Sequence, residues 1–107
     1  MQHLLAQGLA LVERNYRVAR GPSARGAEVD LIMRDRDGTL VFVEVRQRAD
    51  TDHGGAAASV TRGKQRQCIL GAKFYLHTLS VWPPCRFDVV AIDGEVLTWL
   101  PAAFDAS

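Results

Sequence analysis

Two carboxylates, Asp30 and Glu44, lie in β-rich stretches on either side of a short polar turn, and Arg46 follows two residues after the second acid. A three-residue loop of Arg36, Asp37 and Gly38, with the glycine left-handed, is a common hairpin solution. It sets a register in which Ile32 faces Phe42, Asp30 faces Glu44 and Glu28 faces Arg46. Facing residues of a hairpin project from the same side, so the two acids would meet, and opposed like charges cost stability. The usual remedies are a bound cation, a basic partner or a raised pKa on one acid. Two carboxylates with water suit Mg²⁺ or Mn²⁺ rather than Zn²⁺. A hard cation so placed can polarise a phosphoryl oxygen and activate a water, and a cationic side chain beside it can stabilise charge developing on a phosphate. The competing reading is structural: a solvated strand face on which Glu28 pairs with Arg46 and the acids stay apart. A slip of one residue would separate all these pairs.

Hydrophobic periodicity outlines the elements that would hold these residues. Over residues 2–12, Leu4, Leu5, Leu9 and Val12 recur at helical spacing, weakened in the middle by Gly8. Residues 14–20 read as a turn and a short strand, and 21–26 as a loop. Residues 28–33 and 40–46 form the hairpin, with Val29, Leu31, Val41, Val43 and Val45 as its apolar face. Residues 49–59, polar and rich in Gly and Ala, are predicted to be a mobile loop. A long helix is predicted over 60–79, with Ile69, Ala72, Leu76 and Leu79 as its buried stripe and Cys68 and Tyr75 at the edge. Gln65 falls in the middle of that stripe. Lys64 points about 100° away from it, and Arg62, Arg66, Lys73 and His77 gather along one flank. Pro83 and Pro84 end the segment. Residues 86–92 read as a buried strand, Asp93-Gly94 as a two-residue turn into 95–99, and 100–107 as a short helical turn. The order of helix, strands, helix, strands predicts an α/β layer with a mixed sheet, in one domain spanning 1–107.

Composition narrows the function classes. The 107 residues are 48% hydrophobic and 23% charged, near the globular average, which excludes disordered and collagen-like chains. No apolar run approaches the roughly 18–20 residues that span a bilayer. The first residues lack a charged region and a cleavage site, so no secretory signal is read and a cytoplasmic location is expected. Cys68 and Cys85 belong to no metal-binding pattern and are expected as buried free thiols. The net charge is only +1 and the pI about 7.9, below the value of roughly 9 that marks a dedicated nucleic-acid binder. The charge is segregated, however. From His53 to Phe87 there is no Asp or Glu, while Arg62, Lys64, Arg66, Lys73 and Arg86 all fall there. Such a field matters more to a partner than the total. His3, His53 and His77 are scattered and read as surface residues, and Trp82 and Trp99 as core or interface anchors.

Four stretches carry a resemblance: residues 26–32 around Asp30, residues 42–48 around Glu44, Lys64-Gln65-Arg66, and residues 85–90 from Cys85 to Val90. In order and spacing they closely resemble the YraN-like family of predicted endonucleases. That family is similar to archaeal Holliday-junction resolvases and the PD-(D/E)XK nuclease superfamily. The resemblance implies a restriction-endonuclease-like fold, a central mixed β-sheet flanked by helices. It implies that Asp30 and Glu44 are metal ligands, with the Val45 carbonyl a further one, and that Mg²⁺ or Mn²⁺ is the cofactor. Arg46 sits where the superfamily pattern has Lys. Arginine is effectively always protonated and cannot act as a general base, though it can hold a phosphate. Family members also carry a Glu early in a longer first helix. Glu13 lies too late to match it.

These readings converge on an expectation: an endonuclease-like domain that binds branched or otherwise structured DNA and hydrolyses it with a metal held by Asp30 and Glu44. Arg46 and Gln65 complete the expected catalytic set, Gln65 as a hydrogen-bonding partner of a water or phosphate. Arg62, Lys64, Arg66 and Lys73 are the expected nucleic-acid-binding residues, a salt-dependent and sequence-independent track. A homodimer is compatible with the resolvase likeness; no membrane and no small organic cofactor is expected. The rivals are a non-catalytic nucleic-acid-binding module on the same fold and a protein-interaction domain using the exposed Trp and apolar tail.

Overall fold

The computed structural model describes residues 2–19, 26–48 and 60–106. The predicted loop at 49–59 lies outside them. The elements are α1 (Gln2–Ala6), β1 (Ala10–Val18), β2 (Ala27–Arg34), β3 (Leu40–Arg48), α2 (Arg62–Leu76), β4 (Cys85–Asp93) and β5 (Val96–Phe104). One five-stranded sheet runs in the order β1-β2-β3-β4-β5. β1, β2 and β3 are antiparallel neighbours, β3 and β4 are parallel, and β5 returns antiparallel to β4. The expected mixed α/β architecture is therefore present.

The first helix is shorter than its periodicity suggests. The Leu9 amide donates to the Leu4 carbonyl at 3.1 Å and the Gly8 amide to Leu5 at 3.0 Å, while Gly8 adopts φ +92°. This is a Schellman cap, with its accompanying apolar contact between Leu4 and Leu9 in one cluster. Gly8, taken as a weak helix residue, is the stop, and β1 begins two residues later. At the other end of the chain, 100–104 form strand rather than helix. β5 carries a bulge opposite the Phe87–Val89 step, with Ala102 at φ 51°. The β4–β5 turn falls on Gly94-Glu95, since Asp93 pairs directly with Val96. The long helix ends at Leu76, capped by the His77 amide on the Lys73 carbonyl, well before the prolines.

The β2–β3 register is the predicted one: Arg34 pairs Leu40, Ile32 pairs Phe42 and Leu31 pairs Val43. Gly38 takes φ +91°, and the Asp35 amide closes the loop on the Thr39 carbonyl at 2.9 Å. The apolar pattern differs from expectation because both sheet faces are covered. Ile32, Leu40 and Phe42 pack under α2 with Cys68, Ala72, Leu76 and Phe87. Met33, Val41, Val43 and Val90 pack under Leu4 and Leu9. Val29 joins the α2 cluster rather than its predicted neighbours. α2 lies close on β2 there: a Cβ added to Gly71 would stand 2.8 Å from the Val29 Cγ2 and 3.2 Å from the Glu28 backbone. Only glycine permits that approach.

Candidate active site

Beyond the Leu31–Val43 pair, β2 and β3 are joined by a side chain. The Val45 amide donates to Asp30 Oδ2 at 2.8 Å. Val45 directly follows Glu44, so this bond brings the Asp30 carboxylate beside the second acid. Glu44 is 5% exposed. Burial, then the Asp30 charge, push its pKa up from 4.5 to about 7, while Lys64 and Arg46 pull the other way. The two acids lie close enough for the Asp30 charge to act on Glu44, although the paired ladder ends at Leu31–Val43. Across β1, Glu28 also lies 3.6 Å from the exposed Arg17.

α2 places its residues differently from the predicted stripe. Thr61 caps the helix, its hydroxyl accepting the Lys64 amide at 3.2 Å. The buried residues are Cys68, Gly71, Ala72 and Leu76, so the stripe is rotated toward Cys68 and Gly71. Lys64 stands one turn before Cys68 and shares its side of the helix. Cys68 is fully buried, and its thiol pKa is driven up by burial and by the charges of Glu44 and Asp30. Lys64 is thus the helix residue set over the acids. Gln65, favoured by the sequence, instead donates from Nε2 to the Val60 carbonyl at 3.3 Å, which braces the helix start. The signal that could have shown this was the Cys68-Gly71-Ala72 run of small residues, which marks the close-packed side of a helix better than its large ones.

Arg62, Arg66 and Lys73 are exposed on α2, on the flank expected of them. Lys64 is separated from that track by its place over Glu44. Arg46 is half-buried on β3. Cys85 is exposed rather than buried, and both cysteines are free.

Sequence reasoning gave no role to Asp88, which is wholly buried. It accepts from Arg86 Nε at 3.1 Å, Trp99 Nε1 at 2.9 Å and the Ala102 amide at 2.9 Å. Arg86 in turn bonds Asp35 at 2.8 Å. Asp88 is a latch: it fixes the β5 bulge to β4 and, through Arg86, to the hairpin. The sequence signal was the acid inside an otherwise apolar strand.

Among the described residues no group of three or more His, Cys, Asp or Glu side chains lies together. A metal here would rest on two carboxylates, completed by backbone oxygen and water, which is the donor set of a hard divalent cation. No helix of the described residues is long and apolar enough to cross a membrane.

Residues 1–92 match the family described as uncharacterised protein family UPF0102. A UPF0102 protein of Methylibium petroleiphilum is 63% identical over 107 residues, covering 100% of this chain and 88% of its own. Another, of Albidiferax ferrireducens, is 56% identical over 106 residues, covering 99% of this chain and 80% of its own. One from Cupriavidus taiwanensis is 57% identical over 106 residues, covering 99% and 76%. No solved structure matches the chain. With the match running through both acids, α2 and the Asp88 latch, the chain belongs to the UPF0102 family.

Proposed function

We propose that this chain is a divalent-metal-dependent phosphodiester hydrolase acting on nucleic acid, built on a restriction-endonuclease-like fold. The observation that carries this reading is the buried Glu44 set against Asp30, whose carboxylate is held in place by the Val45 amide. Burial and the neighbouring Asp30 charge raise the proton affinity of Glu44, and the same field attracts a cation. Mg²⁺ or Mn²⁺ bound there would polarise a phosphoryl oxygen and acidify a water. Asp30 and Glu44 would hold the ion, with the Val45 carbonyl as the further ligand the YraN-like pattern implies.

The chain's own cations divide the remaining work. Arg46, always protonated, neutralises charge on the phosphate and cannot take a proton. Lys64, on α2 above Glu44, supplies the amine that the Arg46 position lacks and orients the attacking water. Arg62, Arg66 and Lys73 hold flanking phosphates. The direct test is cleavage of structured DNA in Mg²⁺ by wild type, Asp30→Asn and Glu44→Gln. Both variants should lose cleavage and keep or tighten binding, because repulsion of phosphate falls. Equal cleavage by all three would remove the enzymatic reading. Arg46 in place of lysine favours one rival, a binding module without catalysis. Salt-dependent DNA binding with no uptake of Mg²⁺ or Mn²⁺ in calorimetry would select it.

A further inference from the structure

A concavity runs along α2 on the face of the sheet that carries Phe42. A cavity of about 610 Å³ opens between α2 and the bulged end of β5, lined chiefly by Phe42, Ile69, Leu76, Trp82, Phe87 and Phe104. A second hollow of about 420 Å³ shares Ile69, Phe104 and Asp105 with it and adds Arg62, Gln65 and Arg66. Together they form one groove along α2, basic at the helix start and aromatic at the other end. Phe42 precedes Glu44 by two residues on the same face of β3, so the aromatic end begins about 7 Å along the strand from Glu44.

We infer that this groove seats an unpaired nucleic-acid strand, with bases on the aromatic floor and phosphates on Arg62, Arg66 and Lys73. The substrate of the site is then single-stranded or splayed rather than continuous duplex. The identification of the ligand as nucleic acid rests on the phosphodiester reading of Asp30 and Glu44. The choice of an open strand rests on the groove itself. A duplex binder needs a cationic track but no apolar cavity, since its bases are stacked away. Single-strand sites join cations to aromatic platforms, and bases that enter a protein pocket must first leave the stack.

Three features fit that occupant. Trp82 is 55% exposed, and its ring is braced edge-on by His77 at 5.4 Å, which presets a platform. Phe87 and Phe104 stack at 5.1 Å on the floor. The cations of the rim outnumber the carboxylate of Asp105, and the Arg86 guanidinium is committed to Asp35 and Asp88, so the charge available to phosphates is that of α2.

The test is anisotropy with a short fluorescein-labelled oligothymidylate, alone or annealed to its complement, in EDTA so that nothing is cut. The single strand should bind about tenfold or more tighter than the blunt duplex. Trp82→Ala should lose about tenfold for the single strand, within the range known for base–aromatic stacking, with little change for duplex, and Trp82→Phe should restore most of it. Replacing Arg62 and Arg66 together by Gln should flatten the salt dependence by about 1.4 in log–log slope. Equal affinity for strand and duplex, or a Trp82→Ala variant that binds the strand as wild type does, overturns the groove. Circular dichroism confirms that the variants fold. The two readings fail separately: loss of the groove leaves metal-dependent cleavage by the acid pair intact, and absence of cleavage leaves strand binding through Trp82 intact.

Discussion

Asp30 Oδ2 accepts the amide of Val45 at 2.8 Å, across the place where β2 and β3 cease to pair as a ladder. A carboxylate here does the work of a backbone carbonyl. The substitution holds the strands together while fixing one charge beside Glu44, the residue that precedes the donor. A neutral side chain of the same shape could keep the bond without the repulsion, so the charge itself serves no purpose in the fold.

Burial of Glu44, with the Asp30 charge beside it, makes stability depend on pH. The folded Glu44 holds its proton up to about pH 7, against an ordinary value of 4.5. Between those values the unfolded chain has lost a proton that the folded chain keeps. The advantage of the protonated folded form is complete below 4.5 and is lost as pH rises through about 7, a total of about 3 kcal/mol at most. Urea unfolding of the metal-free protein should show stability falling over that window. Glu44→Gln should flatten the profile and be more stable than wild type at pH 8 by about 1–3 kcal/mol. A flat wild-type profile would show that the acids do not interact.

Lys64 offers a separate handle on the same group. Its charge lowers the Glu44 pKa, so Lys64→Met should raise it further, read by carbon-detected NMR titration of the Glu44 carboxyl. Arg62→Met, two residues earlier on the exposed flank, should leave it unmoved. If Lys64 also orients water, Lys64→Met should lower kcat with little effect on strand affinity.

The hairpin was legible because Gly38 and the flanking alternation leave few registers open; that register also points Asp30 toward Glu44, although the paired ladder itself stops at Leu31–Val43. What escaped was long-range. Gly8 looks like a flaw in a helix until Leu9 is seen to bury against Leu4 as part of the cap. The choice between Gln65 and Lys64 turned on the rotation of α2, which is set by how closely Gly71 meets β2. Periodicity weighs large apolar residues and so misses a contact whose determinant is an absent side chain. The bulge in β5 escaped for the same kind of reason: its support, Asp88, is on another strand.

Gly71→Ala tests that rotation. The added methyl would meet the stiff Val29 side chain at 2.8 Å and the Glu28 backbone at 3.2 Å, neither of which can swing aside. Overpacking of this kind costs about 1–3 kcal/mol, against a gain of about 1 kcal/mol in helix propensity. The net result should be a lower urea midpoint. Because α2 must lift from β2 next to Asp30, metal-dependent cleavage should fall more than single-strand binding does. Unchanged stability with unchanged cleavage would mean that helix and sheet do not need this close approach.

Asp88→Ala should be more damaging than either active-site substitution. It strands the Trp99 indole N–H, the Ala102 amide and the Arg86 guanidinium in a site the carboxylate fills with no exposed surface. Breaking one side of a buried charged network costs about 3–5 kcal/mol, a large share of the stability of a domain this small. Asp88→Asn keeps an acceptor for one donor and should fall between. The consequence reaches the groove, because Ala102 and Ala103 in the bulge form part of its wall and Phe104 follows them. Intrinsic fluorescence should report a changed Trp99 environment in Asp88→Asn under conditions where the protein is still folded. Single-strand binding should weaken in parallel while the acids, on β2 and β3 away from the bulge, still take up Mg²⁺ in calorimetry. Full strand affinity in a folded Asp88→Asn protein would mean that the bulge does not shape the groove.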